Sequence, residues 1–169
     1  MIVAFDVYYY LEGKALVAAA TFESWDAEQS YSTHRKLFDS PFEYVSGKFY
    51  LRELKPILSI LSELPEVDTY VIDGYCHLDG EGKMGIGAYL YNELPPDMKV
   101  IGVAKNPYQG SEHACRVYRG ESKKPLYVTS IGIPYDEAGE LISSMHGDFR
   151  MPTLLKEVDS ISRETKLDS

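Results

Sequence analysis

The chain opens on a β-branched and aromatic run from Ile2 to Tyr10 that a single carboxylate, Asp6, interrupts. Leu11-Glu12-Gly13-Lys14 reads as a turn into the apolar run Ala15 to Phe22, which predicts a β-hairpin. A more polar third strand is predicted over Gln29 to Lys36, completing an antiparallel meander before a loop that contains Pro41. The period then changes. Leu51, Leu54, Ile57, Leu58, Leu61 and Leu64 recur at helical spacing, with Pro56 expected inside the first turn, where its missing N–H costs least. Short apolar runs at Thr69 to Ile72 and Lys99 to Ala104 predict two strands, with a helix over Met84 to Leu94 between them. Strand, helix, strand implies parallel pairing, because a parallel neighbour needs a crossover of that length. Ala114 to Tyr118 and Leu126 to Thr129 follow as hairpin-like strands, then helices over Asp136 to Met145 and from Thr153 onward.

An antiparallel three-stranded meander followed by helix-strand units with parallel pairing gives an α/β mixed sheet flanked by helices, in the order of a ribonuclease H-like fold. Fold alone does not fix function. With 169 residues, 44% of them hydrophobic, the chain is long enough for one well-buried core, so residues 1–169 are expected to form a single domain. It shows no apolar run of about 18 residues and no basic-then-apolar leader, which points to a cytoplasmic protein with no membrane partner. Two cysteines, Cys76 and Cys115, lack zinc-site spacing and disulfide density, which fits a reducing compartment.

The net charge of −9 argues against nonspecific attachment to nucleic acid, since phosphate neutralisation by Lys and Arg dominates that affinity. An acidic cleft can still carry a basic rim, for which Lys48, Arg52, Lys55, Lys83, Lys105, Arg116, Arg119, Lys123 and Lys124 are available. Tyrosine is abundant, with 14 residues, and offers rings on which an unstacked base could rest, although most tyrosines are half-buried packing residues.

The candidate chemistry lies in the acids. Asp6 is a carboxylate inside an apolar strand, costly to bury unless it is paired or binds a cation. Asp73 closes a second apolar strand just before Gly74, where loop-borne sites of parallel sheets gather. Glu53 falls in the first turn of the first helix, where the helix dipole favours it. Each also has a structural use: Asp6 in an ion pair, Asp73 as a turn cap, Glu53 as a helix-start acid. Together they suit Mg²⁺ or Mn²⁺, hard cations that accept carboxylates, waters and a substrate phosphate. Lys105 ends a strand on the same sheet edge and can neutralise a phosphate.

Phe5-Asp6-Val7, the stretch Tyr44 to Leu54, Val71-Ile72-Asp73-Gly74, Ile101-Gly102-Val103-Ala104-Lys105, Lys124 to Val128 and Phe149-Arg150-Met151-Pro152 resemble the endonuclease V family, in that family's order and over nearly the whole chain. The resemblance implies a ribonuclease H-like fold and Mg²⁺- or Mn²⁺-dependent cleavage of DNA or RNA on the 3′ side of a deaminated base, typically inosine. It also implies that Asp6, Glu53 and Asp73 hold the metal, that Lys105 is catalytic, and that Tyr44 belongs to a strand-separating wedge. Arg52, Gly74, Tyr75 and His77 are the further nucleic-acid-binding candidates, His77 by likeness to the family's active-site histidine. Gly74, Tyr75 and the glycine-rich stretch Gly80 to Gly87 could wall a pocket for an extruded base.

Three departures stand out. The wedge reads Glu43-Tyr44-Val45-Ser46 in place of Pro-Tyr-Ile-Pro, the loop Tyr75-Cys76-His77-Leu78-Asp79 is short and carries an acid where the family has arginine, and Thr129-Ser130-Ile131-Gly132-Ile133 lacks the family's second histidine. Two alternatives therefore stay open beside the inosine-directed enzyme. One is a catalytically impaired relative that binds nucleic acid or a protein partner, and the other is a nuclease with a different substrate.

Overall fold

The computed structural model describes residues 1–10, 14–39 and 50–164, with only the backbone described for Asp39 and residues 50–53. Among these residues the chain forms seven strands in one sheet: β1 (Ile2–Tyr9), β2 (Lys14–Phe22), β3 (Ser32–Asp39), β4 (Thr69–Asp73), β5 (Lys99–Ala104), β6 (Cys115–Val117) and β7 (Leu126–Ile131). Four α-helices flank it: α1 (Tyr50–Ile60), α2 (Ile86–Asn92), α3 (Tyr135–Ser144) and α4 (Thr153–Ser162). The spatial order is β3-β2-β1-β4-β5-β7-β6. The meander β1–β3 is antiparallel, β1, β4 and β5 run parallel, and β7 and β6 add antiparallel at the far edge. This is the ribonuclease H-like mixed sheet that the pattern predicts.

Period-2 alternation sends the side chains of the central strands into two cores. On one face Ala4, Val71, Ile101, Val103 and Val128 pack against α3 and α4 through Ala138, Ile142, Leu154, Leu155 and Val158. On the other, Val3, Phe5, Ile72 and Val100 meet Leu54, Ile57 and Ile60 of α1 and Leu90 of α2.

Several boundaries move from their predicted places, each for a local reason. β3 begins at Ser32 rather than Gln29, because the preceding polar stretch turns instead, with the Ala27 N–H donating to the Ser24 carbonyl at 3.2 Å. α1 gives way at Leu61–Glu63 to a single 3₁₀ turn and stops at Leu64, which is extended as residues before a proline are. Pro56 is seventh in the described part of α1, beyond the first turn, and the helix continues past it with one carbonyl losing its N–H donor. α2 starts at Ile86, later than Met84, because Gly85 is extended with its N–H on the Cys76 carbonyl at 2.9 Å.

Candidate active site

The register of the parallel strands builds the site. Ile2, Val3 and Ala4 of β1 lie opposite Thr69, Tyr70 and Val71 of β4. Continued two residues, that register sets Asp6 beside Asp73, on the face to which Ala4 and Val71 point. Asp73 pairs in turn with Val103, so Lys105, two residues further along, leaves β5 on the same face. A cleft of about 330 Å³ opens there, lined by Asp6, Asp73, Lys105, Met151, Leu155 and Asp159 among others.

Asp159 is the surprise. It projects from α4, where Leu154, Leu155 and Val158 are buried against the sheet, and it reaches the cleft from the edge of that apolar stripe. Its carboxylate accepts a hydrogen bond from the Asp6 carboxyl and one from the Arg163 Nε–H at 3.0 Å. Asp6 Oδ1 accepts the Val7 N–H at 3.0 Å, and the buried Ser162 hydroxyl is shared between the Asp159 carbonyl at 2.7 Å and Asp6 Oδ2 at 3.2 Å. Periodicity alone could have flagged Asp159, as an acid bordering the buried face of an amphipathic helix.

Burial pushes the Asp6 carboxyl up to about 8, helped by the hydrogen bond to Asp159 and by the like charges of Asp73 and Asp159. The same hydrogen bond, with Arg163 and Lys105, holds Asp159 below the usual carboxylate range. Asp73 keeps solvent-exposed surface at the strand end, yet the protein around it raises its pKa through desolvation, which Lys105 and Arg163 oppose. The centre is thus a crowded set of carboxyl groups with too few cations to neutralise it. Among the described residues no three His, Cys, Asp or Glu side chains are placed to hold a metal ion by themselves.

A second recess of about 320 Å³ flanks the same acids on the opposite face, lined by Phe5, Asp6, Val7, Ile57, Ile72, Asp73 and Ile86. Ile57, which lines this recess, belongs to α1 one turn beyond Glu53. The side chains of Glu53 and Arg52, and all of Tyr44 and Lys48, lie outside the described residues. Gly74 follows Asp73 with φ +133°, and a β-carbon there would lie 3.1 Å from the Ile86 methyl.

Two other candidates take different places. Tyr75 is 8% exposed and donates its hydroxyl to the Asn106 carbonyl at 2.7 Å, which makes it a packing residue rather than an open ring. The chain then folds back over β5: the Cys76 N–H donates to Thr129 Oγ1 at 2.8 Å and the Cys76 thiol faces the Val100 carbonyl at 3.5 Å. His77 follows it away from the acids. Its Nδ1 shares a 2.7 Å hydrogen bond with the Tyr135 hydroxyl, its ring stacks on Tyr135 at 6.3 Å, and it lines neither recess. Arg119, expected on a basic rim, is 5% exposed and spends its guanidinium on main-chain carbonyls. The neighbouring Arg150 is likewise structural, donating to the carbonyls of Lys105 and Pro125.

With this geometry in hand, the comparisons with known proteins decide the family. The model of the endonuclease V family matches residues 1–160. The chain belongs to the endonuclease V family. Human endonuclease V is similar in structure at TM-score 0.71 and 18% identity, the match covering 96% of this chain and 82% of that one. An endonuclease V from Streptomyces avermitilis matches at TM-score 0.73 and 22% identity, covering 96% and 79%. Endonuclease V from Ciona intestinalis, solved in complex with a 24mer DNA containing an inosine followed by a ribo-adenosine, matches at TM-score 0.74 and 16% identity, covering 96% and 84%. No curated protein matches the chain.

Proposed function

We propose that this member of the family is a Mg²⁺- or Mn²⁺-dependent endonuclease that hydrolyses a phosphodiester on the 3′ side of a deaminated base such as inosine, in DNA or RNA. The observation that carries the reading is the register that sets Asp6, in the middle of β1, beside Asp73 at the end of β4, with Lys105 and Asp159 in the same cleft.

The donor set fits a hard divalent cation. Buried carboxyl groups crowded together are stabilised by a positive charge among them, and carboxylate oxygens are the ligands Mg²⁺ and Mn²⁺ take. Asp6 and Asp73 would hold the metal, with Glu53 at the start of α1 and Asp159 on α4 as further oxygen donors. When bound, such an ion activates a water and stabilises the leaving oxygen. Around it, Lys105 neutralises a non-bridging phosphate oxygen, and Arg163 keeps the Asp159 carboxylate ionised and oriented. The second recess, walled by Val7, Ile57 and Ile86, offers apolar surface to an extruded base. The DNA complex of the Ciona relative supports a strand of this kind as the partner.

The test is cleavage of end-labelled inosine-containing and unmodified DNA and RNA oligonucleotides in Mg²⁺ or Mn²⁺, beside an Asp73→Asn protein. Cutting one linkage beyond the inosine, lost in the variant, is the expected result. A parent protein that cuts no strand overturns it. One observation favours a binding protein without cleavage: Glu43-Tyr44-Val45-Ser46 lacks the usual prolines, and the β7 region supplies no histidine. Mn²⁺ titration separates the two, because a retained carboxylate site binds the ion and a dead one does not.

A further inference from the structure

α4 and its C-cap present Lys156, Asp159 and Arg163 at positions i, i+3 and i+7, one stripe of a helix. The middle residue lines the acidic cleft. Each outer residue is a cation lying over an aromatic ring: Lys156 Nζ is 5.8 Å from the Phe149 ring centroid, and the Arg163 guanidinium is 5.1 Å from that of Tyr8. The cleft is therefore bracketed by two cation-aromatic pairs.

Phe149 is 72% exposed, the most exposed of the large apolar side chains described. A ring held in water on a slack loop would fold down onto nearby apolar surface, and here the main chain of the loop is tied down. The guanidinium of Arg119 donates to the carbonyls of Met145 at 2.6 Å and Gly147 at 3.1 Å, and also to those of Phe149 and Arg150. Arg150 ties the next residue to the carbonyls of Lys105 and Pro125, and Met151 already lines the cleft. These bonds tie the backbone that carries the exposed ring to the end of β5 beside Lys105. From Lys156 to Arg163 the helix rises about 10 Å at about 1.5 Å per residue, close to three stacked nucleotides at about 3.4 Å each.

We infer that α4 is a rail for a single nucleic-acid strand, with Phe149 and Lys156 forming a base-stacking platform on one side of the carboxylates and Tyr8 and Arg163 forming another on the opposite side. This rests on the nuclease reading for the strand's presence in the cleft. It also answers the charge problem, because a protein of net charge −9 gains little from counterion release. Stacking is indifferent to that net charge and tolerant of sequence, since every base has a π-face.

The experiment is titration of unmodified single-stranded DNA carrying 2-aminopurine, in Ca²⁺, with the parent protein, Phe149→Ala, Phe149→Trp, Tyr8→Ala and Tyr8→Phe, with thermal midpoints recorded to confirm folding. Each alanine variant is expected to weaken binding roughly tenfold and to relieve the fluorescence quench, while Phe149→Trp and Tyr8→Phe stay within about twofold of the parent. Both alanine variants binding within twofold of the parent would overturn the inference. So would unchanged strand affinity in a Phe149→Ala protein that has lost self-association, which assigns the ring to a second copy of the chain. A parent that binds strands through both rings and cuts none refutes the nuclease reading alone, and one that cuts inosine-containing strands with no dependence on either ring refutes the rail alone.

Discussion

Asp73 and His77 are four residues apart in the chain and belong to two regions with opposite electrostatic character. Between β1, β4 and α4, the carboxyl groups of Asp6, Asp73 and Asp159 crowd together in partly desolvated positions, and the strain shows in a carboxyl pushed up to about 8. In the loop that follows, polar groups find partners: Tyr75 on Asn106, the Cys76 amide on Thr129, His77 on Tyr135, and His113 on the His77 carbonyl at 3.0 Å. A polar group whose needs are met at home stabilises a fold. A set of acids whose needs are not met is where an external cation and an anionic substrate gain most. The difference separates the candidate catalytic region from the loop that holds its wall in place.

The comparison breaks most visibly at the acids. Asp6→Asn is expected to lower cleavage by roughly a thousandfold or more, because the carboxylates act as a unit. At neutral pH the Asp6 carboxyl is mainly protonated, and an asparagine amide can donate the same hydrogen bond to Asp159, so the thermal midpoint should stay near the parent's, a combination that a structural ion pair would not give. Next comes the loop's seat on β5. A β-carbon at Gly102 would lie 2.5 Å from the Gly74 carbonyl and 3.0 Å from the Cys76 amide nitrogen. Gly102→Ala should therefore cost roughly 1–3 kcal/mol in chemical denaturation and shift Gly74, next to Asp73, lowering activity as well.

His77→Phe keeps the ring against Tyr135 and loses one hydrogen bond, so a stability loss of about 1 kcal/mol is expected. Single-turnover cleavage by that protein should stay near the parent rate. A loss approaching that of Asp6→Asn would return His77 to the active site and erase the contrast. The smallest effect concerns the thiols. Burial pushes Cys76 up to about 12, which leaves it protonated and unreactive at neutral pH, whereas Cys115 is half-buried with its pKa raised to a lesser degree. A maleimide reagent should label Cys115 in the native protein and Cys76 only after unfolding. Fast native labelling of Cys76 would show that the loop opens.

Legibility followed the length scale of the physics. Apolar runs and helical spacing mark β1, β2, β4, β5 and α1 because alternation and the 3.6-residue period are local properties of the chain. Asp6 and Asp73 stood out as acids in apolar strands, and the resemblance of Ile101 to Lys105 pointed to Lys105. Boundaries at β3, α1 and α2 shifted where a turn, a proline or a close backbone approach intervened.

The sequence by itself determined the elements, their approximate order and the acids that are costly to bury, since these depend on neighbours a few residues away. Tertiary structure decided which acids meet. Asp159 joins Asp6 across a separation of 153 residues only because α4 packs on the face to which Asp6 points. The same long-range packing turned Tyr75, His77 and Arg119 from ligand candidates into braces: whether a polar side chain is free to bind depends on what the folded chain brings against it, and no local pattern records that.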